Sequence, residues 1–345
     1  MSHIVQTSIH PRSLRRSNCD VATATSRSRG LRAGRLNVWA DAAHLGSGSW
    51  RAGGAPEPRP GKVAAAGYAA AMSNHVYERD GAIFTPTGWA GSPWSVGLQH
   101  GGPVNALFAL ALEEAAAESD LRIVRLTVDL FRPVPRLPLE LGWRFIRKGR
   151  RLANVEATLS LPGTREPISR ATGVLLRPSE GAPTSWRNTP PPPPDLERLE
   201  PVEFMPKAYR EHVPEGFHWS FEVRMGSDEH GPAAWITTPL DLLPGRGMSP
   251  IERSAAVADL TFGLSGRSLL RERIVDVDAW RVPMINTDTT IYWERPPVGE
   301  WFGFRNALLT DHEGIGLAEV DLSDSRGRLG RSLQAMLANP IPPRP

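Results

Sequence analysis

The chain repeats itself at long range, and this constrains its fold more than any local pattern. Residues 126–176 align without a gap to the segment 163 positions later. Arg132-Pro133 falls on Arg295-Pro296, Glu156, Leu159 and Ser160 fall on Glu319, Leu322 and Ser323, and Ser169 falls on Ser332. Identities are sparse, but the order of elements repeats too: each half reads as one apolar helix followed by three or four long strands. So long a period is not that of a solenoid and indicates two similar domains in one chain. A length of 345 residues accommodates both.

The divisions follow from composition. Residues 1–71 form a leader, 72–180 a first domain, 181–201 a linker and 202–345 a second domain. The run Pro190–Pro194 prefers an extended polyproline conformation and predicts a stiff spacer. The leader is rich in Ser, Arg, Gly and Ala, and three readings of it stand: a dispensable or mis-started tail before Met72, a targeting peptide, or a basic arm. It carries nine Arg and Lys62 against Asp20, Asp41 and Glu57, a net of +7. The whole chain is +3, which leaves −4 for residues 72–345. The basic pI therefore belongs to the leader, and nucleic-acid binding is not expected. No apolar run is long enough for a membrane span. One cysteine, Cys19, excludes an intrachain disulfide, and no Cys/His cluster has zinc spacing, so no metal is expected and a cytoplasmic location fits.

In the first half, a short strand is predicted over 75–84 and a loop over 85–99. A helix then opens at His100-Gly101-Gly102-Pro103, runs to about Glu118 and is apolar around nearly its whole circumference, so the fold must enclose it. Strands follow at about 122–132, 138–147, 152–161 and 166–177. In the second half, strands are predicted at 217–225 and 233–239. A helix spans about Pro250 to Leu264, with Ser249 and Glu252 as a capping box. Strands follow at about 286–294, 300–309, 315–322 and 328–338, the last two joined by a turn at Asp324-Ser325-Arg326-Gly327.

Polar residues stand on otherwise apolar elements of the second half at three places: Asp259 on the helix, the strand start Asn286-Thr287-Asp288, and Gln334 on the last strand. A buried polar group is costly unless it is paired or used, so the three suggest a site. At the equivalent places the first half has apolar residues: Ile123 for Asn286, Ala171 for Gln334 and a position near Ala111 for Asp259. One site per chain is expected, carried by the second half. Ordinary readings stand beside this one. Asp259 can hold a loop, Asn286 can cap a turn, Gln334 can face solvent at an edge, and His100 can bind the helix-start backbone. Asp288 reads as structural, and alternation turns Thr287 to the opposite face from Asn286.

A helix wrapped by a long antiparallel sheet, occurring twice, is the α+β double hotdog, two tandem hotdog domains. The chain resembles the double-hotdog acyl-CoA thioesterases, the type II group and its relatives. The pieces that carry the likeness are HGGPVNALFALALE (100–113), VDLFRPVP (128–135), RKGRRLANVEATL (147–159), AVADLTFG (256–263), NTDTTIYWERPPVGEW (286–301) and GRSLQAML (330–337). They cover nearly all of residues 75–340.

The resemblance implies a catalytic set of Asp259, Asn286 and Gln334, with Asn where the best-known relatives have Thr. It implies hydrolysis of an acyl-CoA thioester to free acid and CoA by an activated water, with no covalent nucleophile and no cofactor beyond the CoA of the substrate. An aspartate can take the water's proton, and amide side chains can orient it. His100, Gly101 and Gly102 are the expected oxyanion and substrate-binding residues, since helix-start N–H groups can stabilise an oxyanion. Trp89, Trp94 and Trp301 are candidates for an acyl tunnel. Arg147, Lys148, Arg150 and Arg151 read as a solvated turn or as a seat for CoA phosphates. The alternatives are a hotdog enoyl-CoA hydratase-like enzyme and a non-catalytic acyl-CoA or acyl-carrier binding protein. Against the first, the second helix lacks a closely spaced Asp/His pair; against the second, Asp259 and Gln334 are both intact, and a decayed site should lose such costly polar groups first. The absence of a G-x-S-x-G elbow argues against an α/β-hydrolase thioesterase, and no P-loop or G-x-G-x-x-G follows a strand. A monomer and a homo-oligomer are both compatible with a fold that already contains a pseudo-dimer.

Overall fold

The computed structural model describes residues 74–179, 181, 190–205, 210, 213–274 and 284–339, so the leader lies outside the described residues. All of these fall in one compact unit, Val38–Pro345.

The first half contributes β1 (Tyr77–Asp80), β2 (Ile83–Pro86), helix α1 (Gly101–Ala117), β3 (Arg122–Leu130), β4 (Leu139–Lys148), β5 (Leu152–Ser160) and β6 (Pro167–Leu176). The second contributes β7 (Glu200–Val202), β8 (Glu222–Asp228), β9 (Gly231–Thr237), β10 (Asp241–Leu243), β11 (Arg246–Gly247), α2 (Pro250–Ala258), α3 (Thr261–Arg271), β12 (Met284–Asn286), β13 (Asp288–Trp293), β14 (Phe302–His312), β15 (Ile315–Asp324) and β16 (Gly327–Ala338). One antiparallel sheet runs β1-β2-β4-β5-β6-β3-β13-β16-β15-β14-β9-β8-β7, with β12 also on β16; β10 and β11 pair apart.

The repeat spacing is the symmetry of this sheet. Where β3 meets β13, Thr127 pairs with Thr290, and their hydroxyls lie 3.2 Å apart. These two residues are 163 positions apart. An antiparallel ladder places a residue opposite its own repeat partner only where a two-fold axis crosses it. The offset read from sequence therefore locates the axis, midway along the joined sheets.

Helix α1 is buried along its length from Gly102 to Leu112, as its all-round apolarity requires, and packs on α2 and on β3, β4 and β5. Ser249 and Glu252 form the predicted capping box of α2. The helix expected to reach about Leu264 instead stops at Ala258 and resumes at Thr261. Side chains replace the missing helical hydrogen bonds. The Thr261 hydroxyl lies 2.7 Å from the Ala258 carbonyl and 2.6 Å from Ser332 Oγ. No glycine or proline marks the break, so nothing local announces it. The strand expected over 286–294 is likewise two strands, interrupted at Thr287.

Arg295 closes the 324–327 turn. It binds Asp324 through two hydrogen bonds of 2.6 Å and also reaches the Gly327 carbonyl at 3.0 Å. Gly327 has φ +94°, a region that favours glycine. The proline run does not act as a free spacer. The Pro194 carbonyl accepts from Trp235 Nε1 at 2.7 Å, the Pro192 carbonyl accepts from Arg305, and a Cβ on Gly303 would lie 2.8 Å from Pro193. Prolines keep their carbonyl acceptors, and here they strap the face of β9 and β14 that carries Trp235 and Arg305.

Where the C-terminal end of α1 meets the start of α2, Glu113 accepts from the Ser249 hydroxyl at 2.8 Å. Beside it the fully buried Glu252 is held by Arg246 at 2.6 and 3.1 Å. Burial first, and then the Glu252 carboxylate, push Glu113 from 4.5 up to about 7. The folded state thus binds a proton that the unfolded chain releases above 4.5, so stability falls as pH rises through this window. The loss comes to roughly 3 kcal/mol by pH 7. Glu113→Gln is expected to flatten this dependence and to raise the melting temperature at pH 8 relative to the parent. Thermal denaturation of both proteins between pH 5 and pH 8 checks this; parallel curves would refute it.

Candidate active site

The helix break sets the site. Asp259 ends α2, and at this point its side chain leaves the α2 core and reaches the first turn of α1. There Asp259 Oδ1 accepts from Asn286 Nδ2 at 2.9 Å, and Oδ2 lies 3.1 Å from His100 Nδ1. Both side chains of the latter pair are 8% exposed. The carboxylate fits because residue 101 has no side chain: a Cβ on Gly101 would stand 2.3 Å from Asp259 Oδ1. A Cβ on Gly102 would meet the Ala256 carbonyl at 2.7 Å, so the second glycine lets the two helices cross closely. The positive end of the α1 dipole favours a negative charge at this spot.

His100 is the N-cap of α1, and its Nδ1 also lies 3.0 Å from the Gly102 N–H. A ring nitrogen accepts when unprotonated and donates when protonated. The two contacts of Nδ1 are therefore alternatives. In one state it caps the helix; in the other it donates to Asp259.

Gln334 is fully buried and holds the break itself. Its Oε1 accepts from the Phe262 N–H at 3.0 Å, and its Nε2 donates to the Asp259 carbonyl at 2.9 Å and to Thr289 Oγ1 at 3.0 Å. Both amide protons are engaged, and Oε1 keeps one lone pair. The solvent-edge reading of Gln334 does not hold. Thr287 lies on the other side of the strand, on the Ala335 carbonyl at 3.2 Å, and Asp288 accepts from the Ala335 N–H at 2.6 Å, a structural role.

The structure thus brings together Asp259, Asn286, Gln334, His100, Gly101 and Gly102. The Gly102 N–H, expected as an oxyanion donor, is engaged by His100. The three tryptophans do not gather. Trp89 packs on the main core, in a short turn whose next residue, Ala90, accepts from the His100 N–H at 2.9 Å. Trp94 is 59% exposed, and Trp301 packs on a separate cluster with Leu199 and Trp235. Lys148 pairs with Glu118 beyond the C-terminal end of α1, a helix of 17 residues and hence about 25 Å from the His100 end.

Thr289, Thr261 and an aromatic wall were missed in sequence. The wall comes from the segment around 217–221: Phe217, His218 and Phe221 surround the His100 ring at centroid distances of 5.6, 6.0 and 6.0 Å. Their aromatic spacing was the available signal, but nothing local ties it to residue 100. Among the described residues no group of His, Cys, Asp and Glu is arranged to hold a metal ion, and no helix is long and apolar enough to cross a membrane.

Two family models match this chain: the acyl-CoA thioesterase N-terminal domain over residues 90–176 and the acyl-CoA thioesterase C-terminal domain over residues 179–338. Together they take in most of the chain, which belongs to the acyl-CoA thioesterase family and is a thioesterase. No curated protein sequence matches it. Among solved structures, the tesB protein of Mycobacterium avium subspecies paratuberculosis is 16% identical, with a TM-score of 0.54 over 76% of this chain and 96% of that one. The acyl-CoA thioesterase II TesB2 of Mycobacterium marinum is also 16% identical, with a TM-score of 0.51 over 78% and 96%. A conserved protein of unknown function with a hot dog fold from Alicyclobacillus acidocaldarius is 18% identical, with a TM-score of 0.50 over 76% and 96%. The fold is the hotdog fold.

The contact between Gly101 and Asp259 generates a test. Gly101→Ala adds a favourable helix former but places a methyl group where the carboxylate now lies. A misplacement of about 1 Å can cost on the order of 10²-fold in rate. The variant should keep its melting temperature within a few degrees and lose most thioester hydrolysis, read by free-thiol release. Full activity would show that Asp259 need not sit against α1.

Proposed function

We propose that the two halves are tandem hotdog domains, and that the chain hydrolyses an acyl-CoA thioester with water at the corner where they meet. The observation that carries this is the Asp259 carboxylate, nearly buried and held, among the described residues, by Asn286 and His100. A buried carboxylate with so few partners keeps lone pairs for a further donor. In the proposed step, Asp259 draws a proton from water as the water oxygen attacks the thioester carbonyl. The proton rests between Asp259 Oδ2 and His100 Nδ1. The tetrahedral intermediate then expels the thiolate, which recovers a proton to give CoA and the free acid. Asn286 orients the carboxylate.

Gln334 serves by fixing the helix break, and its spare lone pair can also hold the water. The first half contributes His100 and the space at Gly101, so the site is shared between the halves. The second helix does not carry the closely spaced Asp/His pair expected of the hydratase-like alternative; the histidine that meets Asp259 caps the other helix. The binding-protein alternative is separated by turnover.

Asp259→Asn keeps volume and removes the base; loss of a general base typically costs 10²–10⁴-fold. Free-thiol release from a panel of acyl-CoA esters of graded length should fall by that order, with unchanged thermal stability. Turnover in Asp259→Asn equal to the parent would sink the assignment. No release from any ester by the parent would favour the binding-protein reading.

A further inference from the structure

His218 is 2% exposed, and among the described residues neither ring nitrogen has a hydrogen-bond partner. Leaving a buried donor or acceptor unmade typically costs about 1–3 kcal/mol, so such a group calls for an explanation. Its position supplies one. The ring stacks on His100 at 6.0 Å with an interplanar angle of 16°, and His100 touches Asp259.

Backbone geometry holds it there. The Gly91 carbonyl accepts from the Phe217 N–H at 3.0 Å, and the preceding carbonyl, of Ala90, accepts from the His100 N–H at 2.9 Å. Consecutive carbonyls thus tie down the residues that set both rings. The approach is so close that a Cβ on Gly216 would lie 2.1 Å from the Gly91 oxygen. Phe217 and Phe221, 5.1 Å apart, pack on the His100 ring, and Trp219 meets the His218 ring edge-on at 6.4 Å.

The reaction needs a donor at the thioester carbonyl. Attack on a thioester carbonyl places negative charge on its oxygen, and a preorganised donor there is worth much of the catalysis. The expected Gly102 amide serves His100 while Nδ1 accepts, and is released only when Nδ1 donates to Asp259. We propose that His218 is a catalytic residue of this site, whose free imidazole N–H donates a hydrogen bond to the thioester carbonyl oxygen as it becomes an oxyanion. This rests on the reading that acyl-CoA is hydrolysed at Asp259.

The protonation state agrees with the geometry. Burial, and then the neighbouring His100, push His218 from 6.5 down to about 3. Arg210 acts in the same direction. The carbonyls of Pro214 and Gly91 favour the charged form, but neither meets hydrogen-bond geometry. The ring is therefore neutral across any working pH, with one N–H and one acceptor. A neutral imidazole can polarise a carbonyl without giving up its proton. Two stacked imidazoles so close are also poorly suited to carry two charges.

Two substitutions separate donation from packing. His218→Phe keeps the stack and removes the donor; His218→Gln keeps a donor and loses the stack. His218→Phe should lower kcat by about 10²-fold with KM little changed, leaving the shape of the pH–rate profile intact. His218→Gln should recover at least tenfold of that loss. Parent-like turnover in His218→Phe, or a loss confined to thermal stability in both variants, would overturn the proposal. A second measurement is independent of turnover. An acyl-CoA ketone analogue, with methylene in place of sulfur, keeps the carbonyl and cannot be cleaved. On its binding to the full chain, the His218 N–H resonance should move in nitrogen-edited NMR; saturation without any shift would also overturn the proposal. Absent hydrolysis by the parent would instead count against the function proposed above, and the analogue titration would still read His218 directly.

Discussion

The structure of the site depends on a single interrupted helix. If α2 continued through residue 260, the Asp259 backbone would remain in regular helical hydrogen bonding. Gln334 prevents this by taking the Asp259 carbonyl and the Phe262 N–H, one on each side of the break. Thr261 and Ser332 close the remaining gap with two short hydrogen bonds. These groups are buried, so each would be costly to leave unpaired, and together they fix one geometry. The outcome is a carboxylate delivered across a helix–helix crossing to the start of α1.

The two-fold axis between Thr127 and Thr290 makes a second such crossing, and the contrast shows what distinguishes a site from a joint. At one corner a carboxylate from the end of α2 meets the cap of α1: Asp259 with His100. At the other a carboxylate near the end of α1 meets the cap of α2: Glu113 with Ser249. The second corner is crowded by Glu252 and Arg246, and its carboxylate is drawn toward the protonated form. The first corner is cleared by Gly101 and lined by Asn286. The residues equivalent to Asn286 and Gln334, Ile123 and Ala171, are buried and apolar. Even the repeated serine is used differently: Ser169 binds the Asp129 carbonyl at 2.8 Å, whereas Ser332 holds the helix break. The same backbone plan thus leaves a cleared carboxylate at one corner and a crowded one at the other.

The linker has a structural part in this arrangement. By accepting from Trp235 and Arg305, the prolines cover the face of β9 and β14 turned away from α3. A proline-rich segment can do this because it has no N–H groups to satisfy and arrives extended.

By itself, the sequence determined the repeat, its offset, and nearly every strand in the two equivalent runs, because alternation and long-range self-similarity depend only on residue type and spacing. It also marked Asp259, the polar start Asn286-Thr287-Asp288 and Gln334, since polar residues on apolar elements stand out without coordinates; the resemblance chose Asn286 among them. Tertiary structure alone decided what they touch. The break at Asp259 is made by Gln334 and Ser332, more than 70 residues away, and the local sequence still reads as continuous helix. The approach of His100 to Asp259 spans the two halves, so no window of sequence contains it. His218 lay in a segment read as strand, and its ring acquired a place only when the 215–217 turn closed onto Gly91. Hydrophobic periodicity reports which face of an element is buried; which polar atoms then meet depends on distances that only the folded chain sets.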